Sequence, residues 1–251
     1  MKKSVNYFMA KMKDAQNLLN RMNSTSQKGE SDLLKTLHRQ YNTYPTEIAV
    51  AGKRLKFLQA NEIEGALDGV CLGESGSAEF PFWLKIWEAS VVLANFLSHI
   101  PQDDNKEWLE VGAGMGVAGI FTAAFGHKMT ITDHNEDAIK FARANATLNG
   151  LENIEFALLD WTRPTVANQY DYIIGSEVIY KEDLFEPLMH VFKSLLLPGG
   201  TIFLAGDVRR KSPLRFFDML RRDFEIERSS HTLRAQDEVY VIGLYRLRFR
   251  K

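Results

Sequence analysis

WLEVGAGMGVAG, residues 108–119, is the stretch that decides the fold of this chain. Its first four residues are typical of a buried strand, and Gly112, Gly114 and Gly116 follow at alternate positions. Glycine allows the backbone to turn sharply and lets a ligand approach the main chain closely. Glu110 disfavours a phosphate at this place and favours a cationic or hydroxyl-rich ligand. We therefore expect a strand-to-helix turn whose backbone amides after Val111 face a ligand.

The glycines alone leave other interpretations open. Gly114, Gly116 and Gly119 also satisfy G-x-G-x-x-G, the fingerprint of dinucleotide-binding proteins. Asp133, which is 19 residues after Gly114, is compatible with NAD as well. A turn without any ligand would use glycine too, so the choice depends on the rest of the chain.

Strands and helices alternate along the chain after residue 107, which predicts a mostly parallel sheet with helices on both faces. Phe224–Arg228 and Val239–Phe249 are strand-like and have no helix between them. A connection of about ten residues makes this final pair antiparallel. The prediction is a three-layer α/β fold with a seven-stranded sheet whose last strand is antiparallel. An antiparallel last strand is unusual for a dinucleotide-binding protein. The other predicted strands are 108–111, 128–132, 154–158, 171–175 and 201–205, and the helices are 116–125, 135–148, 183–196 and 213–222.

The N-terminal part has a different pattern. Apolar residues at helical spacing predict an amphipathic helix over residues 3–22, and a short helix follows around Asp32–Arg39. Alternating apolar residues on both sides of Ala51-Gly52-Lys53 predict a β-hairpin. We divide the chain into residues 1–78, which would cover the pocket or contact the substrate, and a domain over residues 79–251.

Composition narrows the class of protein. The 251 residues carry a net charge of −1, so no overall field attracts nucleic acid or an anionic membrane. No apolar run approaches the roughly 18 residues of a membrane span. The single cysteine, Cys71, excludes an internal disulfide and fits a cytoplasmic protein. The six histidines are scattered, which predicts no metal site. The oligomeric state is left open.

The carboxyl ends of the predicted strands carry acids and aromatic rings. Ligands of open α/β sheets bind beyond these ends. Asp133 ends the second strand and could accept hydrogen bonds from ribose hydroxyls. Leu159–Trp161 follows the third strand, where a carboxylate could accept from an adenine amino group and an indole could pack on the base. Residues Gly175–Tyr180 lie at the end of the fourth strand. The structural alternatives are a helix cap at Asp133, a turn before Pro164, and a packed ring at Tyr180.

Four segments together resemble the seven-strand lysine methyltransferases of the family 16 type. They are Trp83–Ser90, Glu110–Gly116, Leu159–Trp161 and Glu177–Tyr180. The resemblance covers about residues 79–251. It depends on the occurrence of all four segments together, since each segment alone is not specific to this family. One departure is Glu88, where many members have proline beside the tryptophan. Members of this family methylate lysine, or sometimes histidine, in particular folded proteins.

The resemblance implies a class I, Rossmann-like fold with S-adenosylmethionine (SAM) as methyl donor and S-adenosylhomocysteine as product. The glycines would line the amino-acid part of SAM, Asp133 would hold the ribose, and Trp87 would close one side of the pocket. Glu177 and Tyr180 would face the incoming side chain as catalytic residues. The residues predicted to bind the cofactor are Trp87, Glu110, Gly112, Gly114, Gly116, Asp133, Asp160, Trp161 and Ser176.

The expected reaction is methyl transfer to a protein lysine. A lysine must first lose its proton, which costs about 4.6 kcal/mol at pH 7 for a pKa of ~10.4. Glu177 could orient the amine or help to remove the proton, and Tyr180 could stabilise a methylated ammonium by a cation–π interaction. Two alternatives remain: a small-molecule methyltransferase of the same fold, and a SAM-binding scaffold protein without turnover.

Overall fold

The computed structural model describes residues 28–61, 82–165, 167–209, 212–235 and 238–250. The helix predicted over residues 3–22 and the segment that contains Cys71 lie outside these residues. No helix among the described residues has both the length and the apolar character needed to span a membrane. The helices are α1 (Lys28–Tyr41), α2 (Glu88–Leu97), α3 (Val117–Ala124), α4 (Glu136–Leu148), α5 (Phe185–Leu195) and α6 (Ser212–Leu220). The strands are β1 (Thr43–Val50), β2 (Lys53–Ala60), β3 (Glu107–Glu110), β4 (Lys128–Asp133), β5 (Ile154–Leu158), β6 (Tyr170–Ser176), β7 (Leu196–Asp207), β8 (Phe224–Ala235) and β9 (Glu238–Phe249).

The central sheet has seven strands in the order β5-β4-β3-β6-β7-β9-β8. The first five of these are parallel to one another, whereas β9 is antiparallel to both of its neighbours, β7 and β8. The predicted α/β fold with a seven-stranded sheet and an antiparallel last strand is therefore confirmed. The order reverses between β3 and β6, which creates a crevice at their carboxyl ends.

Helices cover both faces of this sheet, so the fold has three layers. Along β3, Trp108 packs into one apolar cluster together with α2 and α3, and the next residue, Leu109, packs into a second cluster with α5 and α6. Successive side chains of a strand point to opposite faces, so a strand with helices on both sides is apolar at consecutive positions. This explains why residues 108–111 lack an alternating pattern.

The final two strands are longer than predicted. They pair from Phe224↔Phe249 to Ala235↔Glu238, so only residues 236 and 237 connect them. The predicted connection of about ten residues is wrong, because residues 229–232 are polar and exposed and therefore resemble a loop. They lie on β8, the edge strand of the sheet, where Ser229, Ser230 and His231 pair with β9 residues that are still level with the end of β7.

The predicted N-terminal hairpin is confirmed as β1 and β2, joined by a two-residue turn. Ala51 and Gly52 both have positive φ, 47° and 82°, as a type I′ turn requires. The hairpin is anchored on α4, where Asn145 Oδ1 accepts from Leu58 N (2.8 Å) and Asn149 Oδ1 accepts from Lys56 N (2.8 Å). Two asparagines four residues apart lie on one helix face. Residues 43–60 thus pack on the same helix that follows β4.

Candidate active site

The glycine loop between β3 and α3 adopts a conformation that favours glycine at three positions. Gly112, Gly114 and Gly116 have φ values of 59°, 54° and 77°. A β-carbon placed on Gly112 would lie 3.0 Å from Val178 Cγ1 and 3.2 Å from Trp161 Cζ2. Side chains at this position are therefore excluded by both backbone strain and space. The loop brings together the predicted segments that follow β3, β5 and β6.

The amides of this loop are used within the protein. Ala113 N donates to Thr132 O (2.9 Å), Gly114 N donates to Asp133 Oδ2 (2.8 Å), and Gly116 N donates to Ala113 O (2.9 Å). The expectation of open amides after Val111 is thus wrong for these three. What the absence of side chains at Gly112 and Gly114 provides is close packing of Val178, Trp161 and the Trp83 backbone against a loop that the end of β4 holds in shape.

Glu110 lies beneath the loop and is only 1% exposed. Its Oε2 accepts a hydrogen bond from Gly119 N (3.0 Å) in the first turn of α3. Burial raises the pKa of Glu110 to about 8, although the hydrogen bond from Gly119 acts in the opposite direction. A β-carbon on Gly119 would be 2.3 Å from this oxygen, so the glycine is needed for the contact. Direct contact between Glu110 and a cofactor stays a prediction.

Asp133 at the end of β4 connects the glycine loop to the following helix. Its Oδ2 accepts from Gly114 N (2.8 Å), and its Oδ1 accepts from Asn135 N (2.9 Å). The helix cap of α4 is Asn135, whose Oδ1 accepts from Asp137 N (2.8 Å) and Ala138 N (3.1 Å). Asp133 therefore does not act as the cap, and its predicted contact with the ribose remains untested.

Asp160 and Trp161 follow β5 at a turn. Asp160 Oδ1 accepts from the backbone N (2.9 Å) and Oγ1 (2.7 Å) of Thr162, which lowers the pKa of Asp160. The carboxylate is thus ionised at neutral pH, and its hydrogen bonds stabilise the turn that was the alternative interpretation. Trp161 lies against Gly112, which places the indole beside the loop. The predicted adenine contacts stay predictions.

Glu177 is the most constrained residue after β6. Its φ is 54°, which is rare for a residue with a side chain. β7 holds it there: Glu177 N donates to Ala205 O (2.8 Å), and Glu177 Oε1 accepts from Asp207 N (2.8 Å). Such strain persists only where neighbouring structure enforces it, and it is concentrated at functional sites. Tyr180, three residues further on, is 48% exposed.

Two residues that contact the site, Asp207 and Trp83, were not predicted from the sequence as site residues. Asp207 ends β7 just as Asp133 ends β4. An acidic residue at the end of a strand was therefore the signal in the sequence that could have predicted that Asp207 lies near Glu177. Trp83 was quoted only as part of a motif. Its carbonyl oxygen would lie 2.8 Å from a β-carbon on Gly114, so the backbone of this residue lies on the glycine loop.

The remaining predicted residues lie at the same edge of the sheet. Trp87 immediately precedes α2, and its Nε1 donates to Phe82 O (3.0 Å) while its ring stacks on the Phe82 ring at 6.4 Å. Lys85 Nζ lies 4.4 Å from the centroid of Trp87. Ser176 is the last residue of β6 and pairs with Ala205. The glycine loop thus lies beside Trp161, Val178 and Trp83, and Glu110 lies beneath it.

Comparison with known proteins identifies the family of this chain. A model of the protein family described as lysine methyltransferase matches residues 77–223. The chain is 31% identical over 150 residues to protein N-lysine methyltransferase METTL21A of Xenopus tropicalis, covering 56% of this chain and 68% of that protein. It is 29% identical over 175 residues to EEF1A lysine methyltransferase 3 of Mus musculus, covering 66% and 72%.

A solved structure shares the fold. The ribosomal protein L11 methylase of Lactobacillus delbrueckii subsp. bulgaricus superposes with a TM-score of 0.52 at 22% identity, covering 66% of this chain and 81% of that one. The family match extends over more than half of the chain and includes the glycine loop, Asp133, Asp160 and the Glu177–Tyr180 segment. This chain therefore belongs to the lysine methyltransferase family.

Proposed function

We propose that this methyltransferase transfers a methyl group from SAM to a lysine side chain of a protein substrate. The observation that carries the proposal is the strained Glu177, whose carboxylate is fixed by Asp207 N while the next residue, Val178, abuts the glycine loop. A group suited to an amine is thereby held beside the loop that would bind the methyl donor.

The residues of the crevice fit SAM. Glycine at positions 112 and 114 lets Val178, Trp161 and the Trp83 backbone pack closely on the loop, and Trp161 provides a flat apolar surface beside it. Asp160 supplies an ionised carboxylate that can accept hydrogen bonds from an adenine amino group. SAM supplies a methyl group on a positively charged sulfur, which makes the methyl group an electrophile. Asp133 would hold the ribose from the end of β4.

Glu177 would act on the incoming amine. Methyl transfer is an in-line displacement, so the main task of the protein is to hold the amine nitrogen in line with the donor. The lysine must be neutral, at a cost of about 4.6 kcal/mol at pH 7. Desolvation and a nearby positive charge lower the pKa of the lysine and reduce this cost. Glu177 accepts a hydrogen bond from the amine, and Tyr180 offers its ring to the methylated ammonium, an interaction of ~0.5–2 kcal/mol.

The N-terminal part would frame the donor side of the crevice. The Trp83 ring contacts the Tyr41 ring of α1 (6.0 Å) and the Phe141 ring of α4 (5.5 Å). Through these contacts α1 supports the backbone that lies on Gly114. We propose that residues 1–78 cover the pocket or contact the protein substrate.

The protein acceptor can be tested directly. The purified chain is incubated with methyl-labelled SAM and a lysate of its own source, and the labelled bands are analysed by mass spectrometry. We expect methyl-lysine in a protein. Label that appears only in small metabolites would contradict the proposal in favour of a small-molecule methyltransferase.

The two catalytic assignments have a separate test. Glu177→Gln and Tyr180→Phe are expected to reduce turnover on the labelled protein while the affinity for SAM, measured by calorimetry, stays near that of the wild type. Loss of SAM binding in both variants would refute these roles, because the residues would then belong to the cofactor site.

A further inference from the structure

Gly114, at the centre of the glycine loop, is held from two sides. Its N donates to Asp133 Oδ2 (2.8 Å) at the end of β4. On the side where a side chain would point, a β-carbon would lie 2.8 Å from the carbonyl oxygen of Trp83 and 3.4 Å from the α-carbon of that residue. The conformation of Gly114 therefore depends on where two other segments lie, the junction of β4 with α4 and the segment that carries Trp83.

Tyr41, the last residue of α1, contacts both of these segments. Its ring meets the ring of Trp83 edge-on, with the centroids 6.0 Å apart. Its hydroxyl donates to Asp137 Oδ2 (2.7 Å) in the first turn of α4, four residues after Asp133. One side chain from the N-terminal part thus joins the two supports of Gly114.

Phe141 of α4 fixes the geometry of the ring contact. Its centroid lies 5.1 Å from that of Tyr41 and 5.5 Å from that of Trp83, and both pairs are edge-on. Edge-to-face packing is a favoured arrangement of aromatic rings, so turning any one of the three rings disturbs two contacts. Because Phe141 is fully buried, it provides a fixed wall against which Tyr41 holds the Trp83 ring.

The hydroxyl of Tyr41 has a strong acceptor. Asp137 Oδ1 also accepts from Lys140 Nζ (2.7 Å), and the hydrogen bonds from Lys140 and Tyr41 lower the pKa of Asp137. Burial and the hydrogen bond to Asp137 raise the pKa of Tyr41 to about 12, so the hydroxyl keeps its proton at neutral pH. A hydrogen bond to an ionised carboxylate is stronger than one between neutral groups.

The next residue of the loop is anchored on the same side. Met115 is 2% exposed and packs in an apolar cluster with Leu37 of α1 and Leu58 of β2, against which Tyr41 and Trp83 also pack. The packing of α1 and the hairpin therefore reaches the glycine loop at two consecutive residues.

We propose that Tyr41 is a positioning residue for the methyl donor: it fixes the Trp83 segment and the start of α4, so that the glycine loop keeps the conformation that binds SAM. The inference rests on the proposed function, because it takes the loop as the binding site of SAM. It adds to that function a role for α1 in the affinity for the cofactor, exerted through Trp83 and Asp137.

This role has a kinetic signature. A loop that adopts its binding conformation only about a tenth of the time raises the apparent dissociation constant of its ligand about tenfold. Once SAM is saturating, every loop is in the binding conformation and turnover is unchanged. Loss of a positioning residue therefore raises the KM for SAM and leaves kcat as it was, whereas loss of a group that acts on the acceptor lowers kcat.

The test replaces Tyr41 by leucine, which keeps an apolar side chain but removes the ring and the hydroxyl. Tyr41→Phe is the conservative variant, since it keeps the ring. Phe249→Leu is the matched control: Phe249 is half-buried like Tyr41 and stacks on Phe224 (4.7 Å). Because Phe249 ends β9, which is antiparallel to β7, it lies at the edge of the sheet opposite to the glycine loop.

Three measurements are made on each variant. Calorimetry gives the affinity for S-adenosylhomocysteine. The initial rate of label entering the most strongly labelled protein of a dialysed lysate, at several concentrations of methyl-labelled SAM, gives KM and the maximal rate. Urea unfolding shows that each variant is folded under the assay conditions.

Tyr41→Leu is expected to weaken binding of S-adenosylhomocysteine and to raise the KM for SAM about tenfold each, at the maximal rate of the wild type. Tyr41→Phe should recover most of the affinity, and Phe249→Leu should bind as the wild type does. A fall in the maximal rate at unchanged KM would overturn the inference. Equal loss of affinity in Phe249→Leu would also overturn it, because affinity would then follow overall stability.

The route through Trp83 has its own test. If Tyr41 acts through the Trp83 ring, the double variant with Tyr41→Leu and Trp83→Leu should bind S-adenosylhomocysteine no more weakly than Trp83→Leu alone. Losses that multiply would overturn this route. If Tyr41→Leu does not fold, Trp83→Leu takes its place in the measurements, and wild-type affinity of that variant overturns the inference.

The possible failures are distinguishable. If the wild type binds neither SAM nor S-adenosylhomocysteine, the proposed function fails and this inference fails with it. If the wild type binds them and Tyr41→Leu binds them equally tightly, the positioning role is wrong while the proposed function stands.

Discussion

Glu110→Gln is expected to make the stability of this protein less dependent on pH. The unfolded chain releases the Glu110 proton near pH 4.5, whereas burial raises the pKa in the folded protein to about 8. The stability from this group is fully present below pH 4.5 and is lost as the pH rises towards 8. Between these values the free energy of unfolding falls by about 1.4 kcal/mol per pH unit, which gives an upper limit of about 5 kcal/mol.

Glutamine retains the essential contact. Its side-chain carbonyl can accept the hydrogen bond from Gly119 N, which Glu110 Oε2 accepts at 3.0 Å, and its amide does not ionise. The variant should therefore match or exceed the wild type in stability at pH 8, and its free energy of unfolding should fall less between pH 5 and pH 8. The difference in slope should be of the order of 1 kcal/mol per pH unit.

The assay is urea unfolding of both proteins at pH 5, 6, 7 and 8, followed by circular dichroism. Glu107→Gln is the matched control: it removes the same charge from the same strand, but at an exposed residue that only forms a 3.6 Å surface ion pair with Lys128. The control should keep the pH dependence of the wild type. Equal slopes for the wild type and Glu110→Gln would refute the reasoning, because the folded protein would then hold Glu110 ionised.

Three further substitutions test how the loop and the hairpin are held. Gly119→Ala should destabilise the protein by about 1–3 kcal/mol in urea unfolding, because the new β-carbon would lie 2.3 Å from Glu110 Oε2; unchanged stability would contradict the packing. Asn145→Ala should cost about 2–3 kcal/mol by the same assay, since it leaves Leu58 N and Met115 O without their side-chain partner, and a cost below about 0.5 kcal/mol would mean that the hairpin is not anchored there. Asp133→Asn should weaken SAM binding at least about tenfold in calorimetry, because both carboxylate oxygens accept from backbone N–H groups and the new amide must face one of them; wild-type affinity would show that this contact does not shape the loop.

The local features of the fold could be predicted because they depend on neighbours in the chain. The type I′ turn at Ala51-Gly52 needs two residues that tolerate positive φ, and the glycine loop needs the same freedom at alternate positions. The two-residue connection between β8 and β9 was missed, because residues 229–232 of the edge strand β8 are polar and exposed and therefore resemble a loop.

The partners of the polar side chains could not be predicted in the same way. Nothing in the order of residues indicates that Asn145 would bind the backbone of a strand 87 positions earlier. The position of Glu110 beside glycines likewise gave no sign that its side chain is buried and accepts a hydrogen bond from Gly119 N. Such contacts depend on which strand faces and helix faces meet, so they arise only when the layers pack.

By itself, the sequence determined the α/β class, the seven-stranded sheet, the glycine loop and the residues that gather at the strand ends, because apolar periodicity and glycine act over a few residues. Only the tertiary structure decided that Glu110 lies under the loop, that β7 strains and orients Glu177, and that the tip of the β8–β9 hairpin extends past the end of β7. The physical reason is that burial and backbone strain are properties of the surroundings of a residue, and distant parts of the chain supply those surroundings.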